Sequence, residues 1–206
     1  MVEILKARDV TLAQLSEKFG LERSDDENFF REWQDNLPEL NQQEKQALDE
    51  VKAEYLYLSK YPLLEPLVQM VVLAPILKLS GFYRPPFYLA AEKEIEITSE
   101  DEGTIVRGKI DVLVFHPQFW VLVIEAKKAE FSLEAAIPQA LVYMLANPDI
   151  EKPAYGFVTN GHEFQFLKLT RQGIPMYGRS YPLSIYRGDD IYSTVSGLKR
   201  LRDLVI

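Results

Sequence analysis

The chain contains no cysteine, which excludes disulfide frameworks, thiolate zinc sites and cysteine nucleophiles. Histidine is nearly absent as well. His116 and His162 are the only two, and both stand in turn-like contexts, where polar loop residues are commonplace. No apolar run reaches membrane-spanning length, and the longest, residues 68–77, is interrupted by Pro75. Glu3, Lys6, Arg8 and Asp9 crowd the start with no apolar stretch behind them, so no signal peptide is expected. The expectation is a cytoplasmic protein with no membrane partner. A G-x-x-x-x-G-K-S/T loop is missing too, so this sequence carries no P-loop motor. Positive charge is in short supply: 23 Lys and Arg against 31 Asp and Glu give a net −8. That balance opposes loose attachment to nucleic acid unless a local basic strip or a bound divalent cation offsets it.

What is present suits a globular domain. At 206 residues and 47% hydrophobic content, the chain can bury a core without disulfides or structural metals. The first 60 residues read as helical. Leu12, Leu15 and Phe19 share a face between a Thr11 cap and a Gly20 stop. Ser24-Asp25-Asp26-Glu27 resembles a second helix start, with Phe29, Phe30 and Trp33 following at helical spacing. Residues 41–61 form a third helix with a Leu48, Val51, Tyr55, Leu58 stripe. Residues 62–82 are apolar nearly all round, which predicts a buried helix capped by Gly81.

After Pro85-Pro86 the period changes to two. Strands are expected over residues 91–97, 106–115 and 120–127, then a helix over 132–146. Two further strands, 155–159 and 163–169, flank the hairpin signal Asn160-Gly161-His162. A last helix covers 191–205. The predicted class is α/β: a mixed central sheet flanked by helices, with residues 1–53 as a helical N-terminal extension and residues 54–206 as the main domain. Tyr155, Phe157, Phe164 and Phe166 alternate along strands and read as core.

Two acids and a lysine stand out in apolar strands. Asp111 lies in Gly108-Lys109-Ile110-Asp111-Val112-Leu113-Val114. Glu125 and Lys127 lie in Val121-Leu122-Val123-Ile124-Glu125-Ala126-Lys127, two apart and so on one face. A hairpin can bring Asp111 alongside them. Carboxylates among valines are costly unless compensated, and magnesium or manganese is the natural compensator for hard oxygen donors. Such a centre polarises a phosphate and activates water, with a lysine to orient that water. The plainer alternative is a same-face ion pair, Glu125 with Lys127, and a strand-end aspartate.

Ile110-Asp111 followed by Glu125-Ala126-Lys127 resembles the PD-(D/E)xK restriction-endonuclease-like superfamily. Gln139-Ala140-Leu141-Val142-Tyr143 on the next helix resembles the Q-x-x-x-Y motif of its recombination-exonuclease branch, also seen in the nuclease domain of type I restriction R subunits. Val158-Thr159-Asn160-Gly161, followed by an aromatic strand, is similar to the same domain. Ile110 stands where the family has proline. The resemblance implies a restriction-endonuclease-like fold and a Mg²⁺-dependent deoxyribonuclease, with Mn²⁺ able to substitute. It implies Asp111, Glu125, Glu65 and the Ala126 carbonyl at the metal, Lys127 at the water, and Gln139 and Tyr143 in support. The implied partner is DNA, with a homodimer or a separate motor or specificity subunit as further partners. The competing expectation is a catalytically idle nuclease fold that binds DNA or serves assembly, which the acidic balance and the missing motor favour.

Overall fold

A computed structural model describes residues 3–99, 103–116, 119–126, 128, 130 and 132–205; residues 119–123 and 125 are described by their backbone alone. The chain opens with β1 (Glu3–Lys6), a 3-10 turn (Ala7–Asp9) and α1 (Leu12–Phe19). α1 starts on a reciprocal capping box: Gln14 N–H donates to Thr11 Oγ1 at 3.2 Å and Thr11 N–H to Gln14 Oε1 at 2.9 Å. It ends at Gly20, whose φ of +62° needs no Cβ. β2 (Glu22–Arg23) follows, then α2 (Gln42–Leu58), capped by Asn41 and Glu44 in the same reciprocal way.

The predicted helix over 62–82 forms as α3 (Glu65–Val68), a π turn (Gln69–Leu73) and α4 (Ala74–Leu79). Pro75 explains the wide turn, because it has no N–H for the carbonyl four residues back and its ring crowds that carbonyl. Burial all round does not hold. Leu64, Leu67 and Met70 stand exposed.

The sheet then assembles from β3 (Tyr88–Thr98), β4 (Thr104–His116), β5 (Phe119–Ala126), β6 (Ala154–Thr159), β7 (Glu163–Thr170), β8 (Met176–Arg179) and β9 (Leu183–Ser184). A 3-10 turn (Leu133–Ala135) and α5 (Ile137–Leu145) connect β5 to β6, and α6 (Asp190–Asp203) closes the chain. Among the described residues the strand order is β1-β4-β5-β6-β7-β8-β2, with β3 also on β4 and β9 also on β7. β5 and β6 run parallel, as a helical crossover requires, while β4–β5 and β6–β7 are antiparallel. The expected mixed sheet flanked by helices is what forms, compatible with a restriction-endonuclease-like fold.

Two cores lie on the two faces of this sheet. One joins α1 and α5 to Val106, Ile110, Leu113, Val158 and Leu167. The other joins α2, α3, α4 and α6 to Val114, Ile124, Phe157, Phe164 and Phe166. Their apolar side chains have left water, which is the main stabilisation of such a layered domain.

The N-terminal segment expected as helical is mixed. β1 and β2 sit at the two ends of the strand order, and residues 27–36 form turns instead of a helix. Asp26 starts those turns by accepting the Asn28 N–H at 2.8 Å, which competes with helix formation. Trp33 stacks against Phe166 and meets Tyr181 edge-on at 4.7 Å. Lys168 on β7 ties the segment down, donating to the Phe29 carbonyl at 2.8 Å and to Glu32 at 2.5 Å.

Candidate active site

Period-two packing along β4 changes parity in the middle of the strand. Val106 and Ile110 pack in the α5 core, whereas Val112 and Val114 pack in the α2–α4 core. The same change occurs on β3, where Ile95 and Ile97 face α5 but Leu89 faces the other layer. Between these halves, in continuous register, Glu92 on β3 stands opposite Asp111 on β4. Glu92 has φ of +53°, an uncommon conformation for a residue with a Cβ. The β3–β4 ribbon therefore turns over at Glu92 and Asp111.

The strands beside β4 leave the same place open. β1 pairs with Thr104–Arg107 and stops at Lys6 opposite Arg107. β5 takes over only at Val112, opposite Ile124. Among the described residues, 108–111 thus have no strand partner on that side. The Asp111 carboxylate reaches across instead, its Oδ2 accepting the Ala126 N–H at 2.8 Å. A half-buried carboxylate is thereby fixed by a backbone donor at the point where β4 and β5 part.

The register of β4 on β5 sets the Glu125 backbone opposite Asp111, one step beyond the Val112–Ile124 pair. Of Glu125 the structure describes the backbone, paired with Val158 on β6, and Lys127 lies outside the described residues. Ala126 is fully buried and pairs with Thr159. Two residues further on, Gly161 turns the β6–β7 hairpin at φ +93° with Val68 of α3 packed against it. Glu65 begins α3 three residues before Val68, half-buried and with no ion pair among the described residues.

Gln139 and Tyr143 meet as their spacing predicts. Gln139 Nε2 donates to Tyr143 Oη at 2.7 Å, with the residues 7% and 1% exposed. They line one side of a cleft of about 840 Å³ whose other walls include Lys6, Arg8, Arg107 and Lys109. Gly108 lets this happen. A Cβ there would lie 2.6 Å from Ala7 Cβ and 2.8 Å from Tyr143 Cε1, so β4 rests directly on the tyrosine three residues before Asp111.

Among the described residues no three His, Asp or Glu side chains gather to hold a metal; the Glu125 side chain is not one of those described. His116 packs near Phe87, and His162 lies against Tyr55 and Tyr186. The four cleft cations were not legible as site residues, since Lys6 and Arg8 are about a hundred positions from Arg107 and Lys109. The one available signal was Arg107 and Lys109 two apart, flanking Gly108.

A family model described as the type I restriction enzyme R protein N terminus matches residues 3–173. The chain belongs to this family. The R-protein N-terminus match begins at β1, spans every sequence-predicted site residue from Glu65 to Tyr143, and ends just after β7. The strands β8 and β9 and helix α6 therefore follow the R-protein match, the strands extending the same sheet and the helix joining the α2–α4 core. No curated protein matches the chain. No helix among the described residues is long and apolar enough to cross a membrane.

Proposed function

We propose that this chain is a Mg²⁺-dependent nuclease of the PD-(D/E)xK type that hydrolyses DNA phosphodiester bonds, with Mn²⁺ able to substitute. Membership of a restriction-enzyme family supports the coarse reading. The observation that carries the finer one is the Asp111 carboxylate, held by Ala126 N–H where the β3–β4 ribbon turns over and β5 departs. An acid at such a point is expensive to keep unless it has work to do.

The donor chemistry fits a hard divalent cation. Asp111, Glu125 and the Ala126 carbonyl are oxygen donors on adjoining strand positions, and Glu65 is a fourth carboxylate at the start of α3. When bound, the cation supplies Lewis-acid polarisation of the phosphate and lowers the pKa of its water. The Lys127 ammonium would orient the attacking water and offset charge that builds on the phosphate. Gln139 and Tyr143, locked to each other at 2.7 Å, present a rigid polar pair that positions a non-bridging phosphate oxygen. The nuclease unit is proposed to span residues 54–206, with residues 1–53 as an accessory segment. DNA is the proposed substrate, a motor or specificity subunit or a second copy of the chain the proposed partner, and the cytoplasm the proposed location.

A plasmid-nicking assay tests this reading. Wild type with Mg²⁺ should nick supercoiled DNA, whereas Asp111→Ala and Lys127→Ala should not. Wild type that stays inert with Mg²⁺ and Mn²⁺, alone and with a motor subunit, would favour the second reading, an idle nuclease fold used for DNA binding or assembly. The net charge of −8 supports that second reading.

A further inference from the structure

The cleft lined by Gln139 and Tyr143 runs along β4 to Lys109, two residues short of Asp111, and its walls are basic. Its walls carry Lys6, Arg8, Arg107 and Lys109 against Glu94 and Glu96, a local excess of cations on a chain whose net charge is −8. All four cations are exposed. Lys6 stands directly opposite Arg107 in the β1–β4 ladder. Like charges facing each other across a ladder are destabilising unless something negative lies against them. The carboxylates nearby do this incompletely. Arg107 holds Glu96 at 2.6 Å, Lys109 holds Glu92 at 3.3 Å, Arg8 reaches Asp9 at only 3.8 Å, and Lys6 has no ion pair among the described residues. Exposed pairs of this kind are weak, so a stronger anion displaces them readily.

The position of the cleft selects the anion. Lys109 is two residues from Asp111 on one strand, about 7 Å along it. Gln139 and Tyr143 line the cleft on one side, and Gly108 and Lys109 on its wall belong to the stretch of β4 between the end of β1 and the start of β5.

We infer that this cleft is the docking track for the phosphate backbone of a DNA strand passing Asp111, so that Lys6 and Arg8 at the N-terminus belong to the substrate site. The inference rests on the nuclease reading above and extends it from the reacting phosphate to the strand beside it. The track contacts phosphates, so it adds affinity and register but no sequence preference. The N-terminal segment thereby acts in binding as well as supplying an edge strand.

Binding is measured apart from cleavage, by fluorescence anisotropy of a labelled DNA duplex with the Asp111→Ala protein in EDTA. Adding Lys6→Glu and Arg8→Glu together should weaken binding by about tenfold or more and flatten the salt dependence by about two ions. The milder pair Lys6→Gln and Arg8→Gln, with thermal melts, separates lost charge from lost fold, and should weaken binding with an unchanged melt. Lys152→Glu, an exposed cation outside the cleft, should leave binding unchanged. Parent-like affinity and salt slope in a folded double variant would overturn the track while leaving the nuclease reading to its own cleavage assay. Failure of the parent to bind duplex at any salt would likewise overturn the track, and nicking by wild type with Mg²⁺ decides the nuclease reading separately.

Discussion

The Asp111 carboxylate substitutes for a backbone acceptor: it takes the Ala126 N–H at 2.8 Å just where the β4–β5 ladder has run out. One side chain therefore joins two strands and presents charge at their fork. The two roles separate by substitution. Asp111→Asn keeps an oxygen acceptor and loses the charge, so it should fold with stability within about 1 kcal/mol of wild type. Asp111→Ala leaves the buried Ala126 donor unpaired and should cost about 1–3 kcal/mol. Both should lower nicking by about a hundredfold or more. Urea unfolding beside the nicking assay checks the pair.

Gly108 is the contact that seats Tyr143 under β4. Gly108→Ala would force a methyl group to within 2.6 Å of Ala7 Cβ and 2.8 Å of the Tyr143 ring. Overpacking of this kind costs about 1–3 kcal/mol. The expected outcome is a lower melting temperature together with lower activity, because Tyr143 and its Gln139 partner shift together. Unchanged melting and activity would show that the strand and tyrosine are not in close contact.

His162 gives the fold a pH dependence. Burial holds its imidazole below the ordinary histidine value, against a weaker upward pull from Glu163. The unfolded chain therefore takes up the proton first as pH falls. Stability is full above the ordinary value of about 6.5 and declines as pH drops from there toward the depressed value. The urea midpoint should be lower at about pH 5.5 than at about pH 7.5, and part of that decline should vanish in His162→Gln.

Lys168 holds the turns of residues 27–36 onto β7 through the Phe29 carbonyl and Glu32. Both partners of the ion pair are largely shielded, at 13% and 24% side-chain exposure. Lys168→Met should lose about 1–3 kcal/mol by leaving Glu32 and the carbonyl without their donor. Limited proteolysis should then cut within that segment first, which a mass-spectrometric map would detect.

The sequence was most readable where one segment carries its own signal. α1 and α2 follow from Thr11 with Gln14 and Asn41 with Glu44, β6–β7 from Asn160-Gly161, and the Gln139–Tyr143 pair from its spacing of four. It was least readable where the partner decides the outcome. β1 is four residues, Glu-Ile-Leu-Lys, and becomes a strand because β4 offers it an open edge. Phe29, Phe30 and Trp33 have helical spacing, yet the Asp26 turn and the rings of Tyr155, Phe166 and Tyr181 hold them in turns. Asp111 was legible as a charged residue among apolar ones. The change of strand parity at Asp111 was not, because it depends on helices packed on opposite faces of β4. The cleft cations come together only through the parallel pairing of β1 with β4.

The most direct measurement is a calorimetric titration of Mn²⁺ and Mg²⁺ into wild type and Asp111→Asn under identical conditions. Saturable binding is expected in wild type, with its loss in the asparagine variant, whose fold the retained Ala126 contact preserves. Equal binding by the two proteins, or none by wild type, would contradict a metal centre at Asp111.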